Sequence, residues 1–80
     1  MNLEELKTKL EQEPLLKNKY FIGRPSDNKY CIVFENNEWL TFYFERGQRT
    51  RLKIYTTELA ACTAFYESMM IIKERKERLL

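Results

Sequence analysis

Catalysis by this chain would have to do without the commonest tools. Its 80 residues contain no histidine, which removes the usual general base and the usual zinc ligand together. Ser26, Ser68 and Cys31 could serve as nucleophiles, but no imidazole exists to activate them. Cys31 and Cys62 lack the Cys-x-x-Cys spacing of metal and redox motifs, so both read as buried free thiols behaving as small hydrophobes. The twelve carboxylates offer no pair set in a glycine-lined pocket, and the two glycines, Gly23 and Gly47, are too few for a phosphate-binding loop. No catalytic residue, metal or cofactor is expected, and the chain is read as a non-enzyme.

Binding chemistry is better represented. Tyr30, Trp39, Tyr43 and Tyr55 alternate with Arg46, Arg49, Arg51 and Lys53, and residues 45 to 55 alone carry four positive charges against one negative. Rings and cations on an open sheet can stack bases and neutralise phosphates. The same residues suit a protein partner, because Tyr, Trp and Arg are the favoured anchors of interfaces. A plainer reading has the N-terminal helix covering part of the face while the arginines solubilise a strand. Against nucleic acid stand a net charge of only +2 and the absence of the glycine-aromatic signatures of RNA-binding sheets. These eight residues are the candidate partner-binding set.

The elements that must position them can be read from periodicity. Leu3, Leu6 and Leu10 recur at helical steps, and Asn2 followed by Glu5 has the form of a capping box, so residues 2 to 13 should be a helix ended by Pro14. Tyr20 to Ile22 is a short strand, followed by a turn-rich loop over residues 23 to 28. Lys29 to Glu35 and Glu38 to Phe44 flank Asn36 and Asn37, a two-residue hairpin turn that would set Phe34 against Trp39, Ile32 against Thr41 and Tyr30 against Tyr43. Glu45, Arg46 and Gly47 are then expected as a three-residue turn pairing Phe42 with Thr50 and Leu40 with Leu52. Strict alternation would place Arg49, Arg51, Lys53 and Tyr55 on the aromatic face, with Leu52 and Ile54 on the other.

From Thr57 the period changes. Leu59, Cys62, Phe65 or Tyr66, Met69 and Ile72 fall at helical spacing, so a long last helix should pack on the face made by Val33, Leu40, Phe42, Leu52 and Ile54. Met69 to Ile72 make that helix apolar around more than half its girth, which leaves room for a second copy and a homodimer through the C-terminal helix. The fold class expected is α+β: a three- to four-stranded antiparallel meander with an N-terminal helix and a long C-terminal helix. At 9.8 kDa, 44% hydrophobic and 32% charged, the chain should be one ordered domain spanning residues 1 to 80. Its acidic start lacks the form of a secretory signal, and its longest apolar run is far short of a membrane span. A cytoplasmic location without membrane contact is the expectation.

Tyr20, Ile22 and Gly23, then Tyr30, Cys31 and Ile32, then Trp39, Phe42, Tyr43, Glu45, Arg46 and Gly47, and finally Glu58, Ala61, Cys62 and Phe65 give the chain a pattern of spaced aromatics. Across roughly residues 20 to 68 it resembles the small immunity proteins of bacterial contact-dependent inhibition and polymorphic toxin systems. That resemblance implies a cytoplasmic antidote that binds a cognate toxin domain and neutralises it without chemistry. The chain departs from the pattern in charge: immunity proteins against nucleases are commonly acidic, and this one is slightly basic. Either the toxin is not a basic nuclease, or contact runs through the acidic edge of Glu35, Glu38 and Glu45, or a site other than the cleft is blocked. From a different class, the alternative is a small nucleic-acid-binding or regulatory module using the aromatic and basic face.

Overall fold

The computed structural model describes residues 1–79. Helix α1 spans Leu3–Glu11, and Asn2 closes the capping box with Glu5. A single 3-10 turn over Pro14–Leu16 follows, because Pro14 has no N–H to continue a helix but fits the first position of a new turn. Strands β1 (Tyr20–Ile22), β2 (Lys29–Glu35), β3 (Glu38–Glu45) and β4 (Gln48–Tyr55) form one sheet in that order, and α2 runs over Glu58–Arg78 from an N-cap at Thr57. The α+β class stands as expected. No helix among the described residues is long and apolar enough to cross a membrane.

The expected all-antiparallel meander is corrected to a mixed sheet, since β1 lies parallel to β2 with Tyr20 beside Tyr30 and Ile22 beside Ile32. A parallel neighbour obliges the connecting chain to cross one face of the sheet. Residues 23 to 28 are short enough to do so because β1 has only three residues. They cross over Cys31: the Ser26 N–H donates to the Cys31 sulfur at 3.4 Å, and the Asn28 N–H reaches the Phe44 carbonyl at 2.7 Å.

That crossover decides the packing. The long helix does not cover Val33, Leu40 and Phe42, which form a separate cluster with Cys31 on the crossover face. It packs on the opposite face, where Ala61, Cys62, Phe65 and Met69 meet Ile32, with Tyr30, Trp39 and Tyr55 beside them. Leu6, Leu10 and Leu16, from α1 and the 3-10 turn, complete this main core. Tyr30, Trp39 and Tyr55 give the helices large ring surfaces to bury on the amphipathic side. Met69 is buried, and Met70 and Ile72 pack on the core from its edge, so most of the apolar surplus on α2 is absorbed within the chain. Only Ile71 of that run remains exposed, at 51%.

The first hairpin has the expected register, with Asn36 and Asn37 at φ 53° and 62° and Phe34 opposite Trp39. The second does not. Its turn has two residues, Arg46 and Gly47, both at positive φ, and Glu45 pairs with Gln48. Farther along, Tyr43 pairs with Thr50 but Thr41 with Lys53, so β4 spends three steps where β3 spends two. This is a β-bulge, and Arg51 occupies it at φ 57°.

Candidate functional site

The bulge breaks the alternation that would have kept the cations together. Arg49, opposite Phe44, falls on the crossover face; its guanidinium lies 4.6 Å above the Phe42 ring and makes a forked ion pair with Glu35. The arm of Arg49 therefore lies over the second cluster and helps keep Phe42 from water. The Glu35 carboxyl is held below its ordinary range by that hydrogen bond, and the guanidinium is pushed up by the same contact. Arg46 sits in the exposed hairpin turn, where its N–H donates to Asp27 Oδ1 at 3.2 Å. Trp39 is half-buried at the margin of the main core, with Phe34 4.8 Å from it.

The other five candidates converge, though not on an open sheet. Tyr30, Tyr43, Arg51, Lys53 and Tyr55 line a cleft of about 480 Å³ between β4 and the second half of α2. Facing them from the helix are Phe65, Ser68, Ile71, Ile72 and Arg75. The predicted outward aromatic surface is thus corrected: α2 covers much of it, and what remains open is the gap along the helix flank. Arg75 was invisible to sequence reasoning, because it belongs to a helix assigned to the opposite face. The period of α2 that places Phe65 and Ile72 toward the sheet would have found it once the correct face was known.

Charge in the cleft is one-sided. Arg51, Lys53 and Arg75 contribute three cations, and no Asp or Glu lines the walls. The Arg51 guanidinium donates to the Tyr30 hydroxyl at 3.1 Å, and the Tyr30 and Tyr43 rings are tilted against one another with centroids 4.8 Å apart. Ile71 brings exposed apolar surface to the same place. Neither thiol takes part. Cys31 and Cys62 are free, buried in different clusters, and burial pushes both up from the ordinary thiol range. Among the described residues no three His, Cys, Asp or Glu side chains converge to hold a metal ion.

No family model, no curated protein and no solved structure matches the chain.

Proposed function

We propose that this protein is an immunity protein, a cytoplasmic antidote that binds a cognate bacterial toxin domain and neutralises it by protein–protein contact without catalysis. The observation that carries the reading is the cleft: tyrosines and arginines, the side chains that most often anchor protein interfaces, line one concavity beside the exposed Ile71. The resemblance across residues 20 to 68 supplies the class of partner. The cleft's positive sign suits a toxin surface that is acidic, which accounts for an antidote of slightly basic charge.

The test is co-production with the toxin domain encoded in the adjacent reading frame. Cells making the toxin should grow only when this protein is present, and the two should elute as one complex with a dissociation constant of about 1 nM or lower. Persistent growth arrest with no complex formed would refute the reading.

A further inference from the structure

Three cations line a concavity whose walls carry no acidic residue, so the free cleft is positive in sign. Arg51 shapes that field. It occupies a left-handed conformation that disfavours residues with a side chain, on a bulge that turns it toward the helix, and the Tyr30 hydroxyl holds one arm of its guanidinium. Its remaining N–H donors have no hydrogen-bond partner among the described residues. A planar fork fixed at one corner is suited to a carboxylate, which it can grip through two parallel bonds. The volume of about 480 Å³ takes a few residues of a chain, not a folded domain.

Resting on the reading of this protein as a protein binder, we infer that the cleft is a carboxylate-recognition site for an acidic segment of the partner. Arg51 reads one Asp or Glu side chain, Lys53 and Arg75 neutralise its acidic neighbours, and Ile71 takes an apolar residue beside them. A nucleic acid fits these observations less well. Bases need exposed ring faces to stack upon, whereas Tyr30 and Tyr43 pack against each other, half-buried, and Tyr55 lies against the main core. A phosphate track would also need cations continuing beyond one cleft, and Arg49 is committed to Glu35 on the opposite face.

The experiment is an amide chemical-shift titration of the full chain with the peptide Ac-Glu-Tyr-Glu-Leu-Glu-NH2, against its Gln-for-Glu analogue and a ten-nucleotide oligothymidylate. The acidic peptide should give saturable shifts centred on Tyr30, Lys53, Tyr55, Ser68 and Arg75, and the analogue none. Arg51→Asn should weaken binding about tenfold or more while leaving the spectrum folded, because Asn tolerates the left-handed geometry of the bulge. Arg51→Lys should also weaken it, since it keeps the charge and loses the fork. The inference is overturned by no saturation up to about 10 mM peptide, by equal binding of the analogue, or by an unaffected Arg51→Asn variant. It is equally overturned if the oligonucleotide shifts these amides more strongly, or if they shift with protein concentration alone, which would make a second copy the occupant. Failure here is separable from failure of the functional reading. If Arg51→Asn with Lys53→Gln and Arg75→Gln still protects cells, the acidic site falls and the antidote stands; peptide binding without protection gives the reverse.

Discussion

Arg51 holds φ at 57° where glycine would rest without strain. A left-handed residue with a β-carbon costs about 1–2 kcal/mol, of which glycine's larger unfolded freedom would return a part. Arg51→Gly should therefore stabilise the fold by about 0.5–1 kcal/mol, raising the melting temperature by about 2–8 °C in calorimetry, while removing the guanidinium from the cleft. Gain in stability with loss of binding would separate the two roles of this position. The thiols make a second expectation at this scale. Burial raises Cys31 and Cys62, and burial with Glu11 nearby raises Tyr20, so each is protonated more readily folded than unfolded. Stability from the thiols is fully present below their unfolded value of about 8.5 and is lost as pH rises through the higher folded values. Urea midpoints should fall progressively from pH 8 to pH 10, and replacing both cysteines by Ala should flatten that slope.

Which face of the sheet the helices cover is testable with two substitutions of opposite expectation. Phe65, on the sheet-facing side of α2, is 3% exposed, and Phe65→Ala should cost about 3–5 kcal/mol. Ile54, expected from the sequence to sit under the helix, is 55% exposed, so Ile54→Ala should cost under about 1 kcal/mol. Equal losses in denaturant unfolding would contradict the packing. The first hairpin could be read in advance because Asn36 and Asn37 tolerate the positive φ that a two-residue turn needs. The second could not, because arginine carries no signal for the left-handed geometry it adopts at Arg46 and Arg51. The helix-bearing face was equally hidden: Cys31, Val33, Leu40 and Phe42 are as apolar as any core, and only the parallel setting of β1, which no residue of the 23–28 connection signals, sends the crossover over them. Five of the eight candidate residues nonetheless met in one cleft, since beyond the bulge the parity of Lys53 and Tyr55 is the one alternation predicts.

At the scale of the whole molecule, one layer of helices on one sheet gives a plate of 40 × 30 × 15 Å, and a plate has edges. One edge is β1, three residues long; the other is β4, eight residues long, and no backbone group of β4 bonds outside the β3–β4 ladder among the described residues. Such an edge invites pairing with another chain unless something bends or charges it. The bulge bends β4 at its middle, and Arg51 and Lys53 charge it, so two copies brought together antiparallel would set cations against cations. Deleting Arg51 removes the extra residue, lets β4 follow β3 step for step, and leaves the faces of all other residues as they are. The deletion variant should remain folded but associate through its straightened edge, with a sedimentation coefficient that rises with concentration between about 10 µM and 1 mM. Adding Ile71→Ser to the deletion variant should leave that dependence unchanged, because α2 already spends Met69, Met70 and Ile72 on its own core. If the deletion variant sediments like the intact chain, the bulge is not what guards the edge, and its place in the molecule is the presentation of Arg51 alone.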